Sequence, residues 1–296
     1  MKRPVFTGAA VAIITPMNAD GSINFDELGR IIDDQIANGT DAIVICGTTG
    51  ESPALDHKEH TDCIRYAVEK TAHRVPVIAG SGSNDTAYAI RLSREAQAAG
   101  ADGLLLVTPY CNKTSQAGLI AHYTAIADAV DIPCILYNVP SRTGVNIQPA
   151  TLAVLCRHPN INAVKEASGN LAQISEIAAL CGDDLIIYSG EDGIIVPMLA
   201  VGAKGVISVL SNVAPRQAHD ICRLWFEGKT QESLALQLKA LPLCNALFAD
   251  VNPIPVKWAM NRLGWNAGPC RLPLVEPNET VRQRLETSMR DFGILD

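Results

Sequence analysis

Residues 98 to 110, AAGADGLLLVTPY, join the end of an amphipathic segment to a short apolar run. Gly100 can take the left-handed conformation that closes a helix. Gly103 to Thr108 offers almost nothing polar to solvent, which suits a strand covered on both faces, as in a parallel sheet. Thr108-Pro109 then ends the run.

The same unit recurs along the chain. Apolar runs bounded by Gly, Pro or Thr fall at Ala9 to Thr15, Ala42 to Cys46, Val75 to Gly80, Gly103 to Thr108, Pro133 to Tyr137, Ala163 to Lys165, Leu185 to Ser189 and Gly205 to Val209. Between them lie amphipathic stretches long enough for helices, such as Phe25 to Asn38, Lys58 to Ala72, Ala87 to Ala99 and Leu119 to Ala129. Gly39 in NGTDAI and Gly202 in VGAKGV repeat the cap expected at Gly100. Eight strands alternating with helices predict an α/β chain of the (β/α)8 TIM-barrel type. A doubly wound sheet is the structural alternative. It needs fewer strands and usually a Gly-rich nucleotide turn, and neither G-x-G-x-x-G nor G-x-x-x-x-G-K-[ST] occurs.

After about residue 225 the strand pattern stops. Thr230 to Phe248, Pro255 to Leu263 and Glu279 to Phe292 read as helices, separated by Asn252-Pro253-Ile254-Pro255 and Arg271-Leu272-Pro273. The expected organisation is a catalytic barrel over residues 1–225 and a C-terminal helical appendage over residues 226–296.

Composition fits this reading. A chain of 296 residues with 48% hydrophobic and 19% charged residues and a mean hydropathy of +0.14 can bury a large core. A net charge of -7, a pI near 5.4 and the lack of any Lys/Arg cluster speak against a nucleic-acid partner and for a small molecule. No apolar run reaches the roughly 20 residues of a membrane span, and Met1 to Phe6 carries no signal-peptide pattern. A cytoplasmic location without membrane attachment is expected. The nine cysteines form no C-x-x-C pair, and their odd number cannot pair fully. Most sit in apolar strand or helix patterns, where a free cysteine behaves as a small hydrophobe, with Cys111 set apart.

In such barrels the active site is built at the C-terminal ends of the strands. The sixth run ends Ala163-Val164-Lys165-Glu166, which puts a lysine where a strand should be buried. It is either a lysine that snorkels to the rim or pairs with Glu166, or a nucleophile. An ordinary lysine is neutral in only about one molecule in 2,500 at pH 7, a penalty of about 4.6 kcal/mol. Burial lowers that penalty and makes the amine reactive toward a ketone. The second run ends Gly47-Thr48-Thr49-Gly50-Glu51, a hydroxyl-bearing turn whose N–H groups suit a carboxylate or phosphate, or else a purely structural turn. The fifth ends Tyr137-Asn138-Val139-Pro140-Ser141-Arg142-Thr143-Gly144, with a phenol and a guanidinium. Together, an amine, a carboxylate nest, a phenol and a guanidinium at the strand ends of one barrel make a Schiff-base site for a 2-keto acid.

These motifs resemble those of the dihydrodipicolinate synthase and N-acetylneuraminate lyase family. The likeness runs from GAAVAIITPM (8–17) through GTTGES (47–52), YNVPSRTG (137–144), VKEASGN (164–170) and GVISV (205–209) to NPIPVKWA (252–259) and RLPL (271–274). The resemblance implies that Lys165 forms an imine with pyruvate, whose carboxylate sits on Thr48 and Thr49. Tyr137 would exchange protons during imine formation and aldol addition, relayed by the Thr48 hydroxyl. The backbone around Gly190 and Ile207 would line the pyruvate pocket, and Arg142 would hold the carboxylate of L-aspartate 4-semialdehyde. The product would be 4-hydroxy-tetrahydrodipicolinate, on the diaminopimelate route to lysine. No cofactor or metal is expected, because the imine is the electron sink, and such enzymes are usually homotetramers. PSRTG favours the synthases over the sialic acid lyases, which generally lack this arginine. A sister pyruvate aldolase and a non-catalytic keto-acid binder are the competing readings.

Two positions depart from the family pattern. The loop after the fourth strand typically carries a Tyr-Tyr pair whose second member completes a neighbouring subunit's proton relay, and here it is Cys111. Lysine-inhibited members use a pocket matched here by Ser52, His57, His60, Asn84 and Tyr110, but the expected acidic residue is Tyr88. Feedback by lysine is therefore expected to be weak, unless Glu51 or Glu59 supplies the missing carboxylate.

Overall fold

A computed structural model describes residues 2–296; of the expected barrel segment, Met1 lies outside the described residues. The strands β1 (Gly8–Ala12), β2 (Ala42–Ile45), β3 (Val77–Gly80), β4 (Gly103–Val107), β5 (Cys134–Asn138), β6 (Ile161–Glu166), β7 (Ile186–Ser189) and β8 (Gly205–Ser208) pair in sequential order, all parallel, and β8 closes on β1. This is a (β/α)8 TIM barrel. Around it lie α1 (Phe25–Ala37), α2 (His57–Thr71), α3 (Thr86–Ala98), α4 (Gln116–Ala127), the short α5 (Pro140–Thr143), α6 (Pro149–Leu155), α7 (Leu171–Cys181), α8 (Ile195–Ala200) and α9 (Pro215–Phe226). Then come α10 (Thr230–Leu247), α11 (Ile254–Arg262) and α12 (Glu279–Phe292).

The strand ends differ from the sequence expectation for local reasons. β3 and β5 start one residue after Pro76 and Pro133, because proline has no N–H for the ladder. β1 stops at Ala12: the Ile14 N–H donates instead to Asn212 Oδ1 at 3.1 Å. β6 begins at Ile161, before the expected Ala163, and tolerates Asn162 because its amide donates to the Arg3 carbonyl at 2.9 Å. Gly39, Gly100 and Gly202 adopt the expected positive φ, at 90°, 91° and 102°. Side-chain caps fix several helix starts; Asp56 and Glu59 form a reciprocal capping box on α2.

Strand alternation separates two apolar layers. Ala10, Ile135, Tyr137, Ala163, Tyr188 and Ile207 fill the barrel interior. Val11, Leu136, Val164 and Val206 face the helices, in a core that continues into the appendage at Leu243, Met260 and Leu285. Since Ala163 faces in, Lys165 faces in too, and Glu166 goes outward with Val164. The pairing register sets Lys165 directly between Tyr137 and Tyr188. Among the described residues no helix is long and apolar enough to cross a membrane.

Candidate active site

Lys165 stands near the C-terminal end of β6, only 6% exposed. Its Nζ lies 4.3 Å from the centroid of the Tyr137 ring. Burial draws its pKa down to about 8; Asp192 opposes that fall and the Arg142 charge adds to it. At that value about one molecule in ten carries the free amine at neutral pH. Glu166 is no partner to it. That carboxylate accepts from Asn138 Nδ2 at 3.0 and 3.2 Å and from the Ser168 N–H at 2.8 Å, on the outer side of the sheet. The lysine neither snorkels nor pairs with its neighbour.

Tyr137 is buried beside it. Burial raises its phenol pKa, while the Arg142 charge and the Thr48 hydroxyl oppose the rise. Thr48 belongs to the turn after β2. There the N–H groups of Gly50 and Ser52 donate to the Gly47 carbonyl and that of Glu51 to the Thr48 carbonyl, which leaves the Thr48 and Thr49 amides among those free to meet an anion. The turn is held from the appendage. Asn252 Nδ2 donates to Thr49 Oγ1 at 3.0 Å. Glu51, at a left-handed φ of 54°, pairs through Oε1 with Lys257 Nζ at 2.8 Å and accepts the Arg271 N–H through Oε2 at 2.8 Å.

A cavity of about 810 Å3 opens beside Tyr137 and Asn252, lined also by Arg142, Gly190 and Asp192 among others. Arg142 is exposed at its mouth, and its Nη2 donates to the Asn252 carbonyl at 3.4 Å. Gly190 is needed for space: a Cβ there would lie 2.7 Å from Ala167 Cβ and 3.1 Å from Lys165 Cε. Ile207 is buried in the barrel interior on β8. Lys165, Tyr137, Thr48, Thr49, Arg142 and Gly190 thus converge on one end of the barrel.

A model of the dihydrodipicolinate synthetase family matches residues 5–291. The chain belongs to that family. It is 56% identical over 292 residues to the 4-hydroxy-tetrahydrodipicolinate synthase of Lachnoclostridium phytofermentans, covering 98% of this chain and 99% of that one. The chloride-inhibited dihydrodipicolinate synthase of Acinetobacter baumannii complexed with pyruvate aligns with a TM-score of 0.96 at 40% identity, over 98% of this chain and 99% of the other. The dihydrodipicolinate synthase of Cyanidioschyzon merolae with lysine bound gives a TM-score of 0.96 at 37% identity, over 99% and 100%.

The loop after β4 holds the first of the two positions expected to depart from the family pattern. Cys111 is exposed there with a left-handed φ of 64°, next to Tyr110, which is 36% exposed. Tyr110 lines a second cavity, of about 490 Å3, with Ser52, His60, Tyr88 and the candidate-site residues Thr48 and Arg142. His57 and Asn84 do not line it but contact its lining residues Tyr88 and Tyr110. Asn84 Nδ2 donates to the Tyr110 carbonyl at 3.2 Å, and His57 is engaged by Arg91 Nη2 at 2.6 Å and lies 3.1 Å from Glu95 Oε2. Neither histidine is a helix cap, since Asp56 fills that place on α2. His60 is a satisfied core histidine, its Nε2 2.7 Å from the Gly80 carbonyl and its pKa lowered by burial. The carboxylates that could have replaced an acid at Tyr88 are engaged elsewhere, Glu51 with Lys257 and Glu59 with Arg271.

The sequence reading missed three residues of this site. Asn252 and Lys257 lie in the NPIPVKWA motif, which carried the family likeness but was given no task. Asp192 follows β7, one of the strand ends that were not weighed.

Proposed function

We propose that this chain condenses pyruvate with L-aspartate 4-semialdehyde to give 4-hydroxy-tetrahydrodipicolinate, as a lyase of lysine biosynthesis. The observation that carries the reading is the buried Lys165 amine, against the Tyr137 ring and with its pKa drawn to about 8, beside a cavity that Tyr137 and Arg142 line. Lys165 Nζ attacks C2 of pyruvate, and loss of water gives the iminium. The pyruvate carboxylate lies on the Thr48 and Thr49 amides, with the Gly190 and Ile207 backbone lining its pocket. Tyr137, with the Thr48 hydroxyl, moves protons to and from the reacting oxygen. Loss of a C3 proton gives the enamine, whose carbon attacks the aldehyde while Arg142 holds the second substrate's carboxylate. The amino group of that substrate then displaces Lys165 as the ring closes. A water fills the place that a tyrosine at position 111 would occupy.

A cytoplasmic homotetramer goes with this reading; the exposure of Tyr110 and Cys111 supports the assembly, and light scattering on the purified protein tests it. Borohydride reduction in the presence of pyruvate, followed by peptide mapping, tests the chemistry. Label should appear on Lys165 and vanish in Lys165→Ala with the fold intact, and label on Lys204 or Lys257 instead would overturn the assignment.

A further inference from the structure

Asp192 has no task in the reaction as derived above, yet it is built into the cavity with care. It lies three residues beyond β7 and is 2% exposed. Its Oδ2 accepts the N–H groups of Val209 and Leu210, each at 2.9 Å, just past the end of β8. Its main-chain carbonyl accepts Gln237 Nε2 of α10 at 2.9 Å. The residue is therefore pinned from two sides. Oδ1, in contrast, is buried and makes no hydrogen bond of good geometry, the nearby Ser208 hydroxyl favouring the carboxylate's charge without satisfying this oxygen. An unmatched carboxylate oxygen in a low-dielectric wall costs stability, and such a group calls for an explanation. The wall belongs to the cavity that Tyr137, Arg142 and Gly190 also line.

The reaction supplies the missing partner. When the Lys165 amine condenses with a keto group and water leaves, the nitrogen becomes an iminium, a cation that the buried barrel end hydrates poorly. Asp192 is the carboxylate whose charge acts on Lys165, and Arg142 is the cation that opposes it. Every charged or titratable group facing Asp192 fits this account. From β6 comes Lys165, and from the end of β8 the Ser208 hydroxyl with the two amides. From α9 and α10 come the Cys222 and Cys244 thiols, which burial keeps protonated. From its own segment comes Glu191, another acid. Lys165 is the cation of this set.

Resting on the Schiff-base reading, we infer that Asp192 is a positioning residue whose free oxygen is the counter-charge of the Lys165 nitrogen, holding it cationic as ammonium before pyruvate arrives and as iminium afterwards. This keeps the imine an electron sink, because the electron pair released with the C3 proton moves onto a positively charged nitrogen. The pH signature follows from charge balance. Below the pKa of the amine, ammonium and pyruvate become iminium and water with no change in charge, so Asp192 favours both sides alike. Above it, the iminium forms only with uptake of a proton, and the counter-charge sets the pH at which pyruvate affinity begins to fall.

Asp192→Asn tests this, because the amide oxygen can still accept the two N–H groups. Pyruvate KM and cyanoborohydride trapping on Lys165 are measured from about pH 6 to about pH 10, a range that brackets the amine. The variant should match wild type within about twofold at the acid end, with its alkaline loss of affinity displaced downward by about one unit, so that pyruvate binds about tenfold more weakly there. Superimposable profiles overturn the inference. So does an equal loss at every pH, which is the mark of a merely structural residue. Should the variant not fold, difference infrared spectroscopy of the wild-type enzyme keeps the test: adding pyruvate should perturb a buried carboxylate band, and an unchanged carboxylate region overturns the inference. If wild type itself is not trapped on Lys165, the Schiff-base reading falls too; trapping with an unmoved profile removes only the role of Asp192.

Discussion

Lys257→Met should destabilise the protein by about 3 to 5 kcal/mol, the usual result of removing one partner from a buried ion pair. Lys257 and Glu51 are 1% and 3% exposed, and the ammonium also donates to the carbonyls of Thr15 at 3.1 Å and Pro269 at 2.6 Å. Methionine keeps most of the side-chain volume, so the loss is electrostatic: Glu51 keeps the Arg271 N–H on Oε2, while Oε1 is left without its cation. At about 2 °C per kcal/mol for a chain of this size, Tm should fall by about 6 °C or more. Adding Glu51→Gln removes the stranded charge and should recover part of the loss, which separates an ion-pair effect from a packing effect. Glu51 closes the turn that presents Thr48 and Thr49, so the single variant should also raise pyruvate KM, by about tenfold, more than it lowers kcat. Thermal unfolding followed by circular dichroism, with steady-state kinetics beside it, decides the matter. A single variant within about 2 °C of wild type, with unchanged pyruvate KM, would show that the pair neither supports the fold nor orders the turn.

Arg142→Ala should raise KM for the aldehyde by about tenfold to a hundredfold and leave pyruvate KM nearly unchanged, because a charge-assisted carboxylate contact is worth about 1.5 to 3 kcal/mol; equal effects on both substrates would mean that the Arg142 contact with Asn252 matters more than any substrate contact. Gly190→Ala should lower kcat/KM for pyruvate about tenfold or more, since the new methyl would crowd Ala167 and push on Lys165 Cε; wild-type kinetics would show that the loop yields freely. Cys111→Tyr should raise kcat about tenfold or more, because positioned acid–base groups contribute about 10² to 10⁴ and a water replaces only part of that. The residue sits at a left-handed φ of 64°, where a bulky side chain is strained, so Tm is measured beside kcat to separate strain from the relay. Turnover within about twofold of wild type would show that this relay does not limit the reaction.

The parts of the fold that could be read in advance were those set by local chemistry. A continuous apolar run such as Leu104-Leu105-Leu106-Val107 has no face to give to water, and Gly100 accepts a backbone conformation that other residues resist. Lys165 was legible for the opposite reason, as a charge in a run where charge is out of place. Its interior direction was not legible, because it depends on which face Ala163 takes in the closed barrel. The reading that paired Lys165 with Glu166 failed on the same point, since neighbours on a strand face opposite sides.

Asn252 and Lys257 were illegible because their partners, Thr49 and Glu51, stand 203 and 206 positions away, and periodicity reports nothing at that range. Within α11 alone, Lys257 looks like any helix-surface lysine. Its burial appears only once the appendage packs against the turn after β2. The division of labour follows from that packing. The barrel strands bring the amine and the phenol, Lys165 and Tyr137, to one rim, but the turn that would hold the pyruvate carboxylate is fixed by residues outside the barrel. Glu51 is held in its left-handed conformation by Lys257 and the Arg271 amide, and Asn252 ties the Thr49 hydroxyl to the segment on which Arg142 also rests. The turn between α10 and α11 thus touches the groups proposed for both substrates, so a shift in that segment would disturb pyruvate and aldehyde together, while a change at Arg142 alone would disturb only the aldehyde.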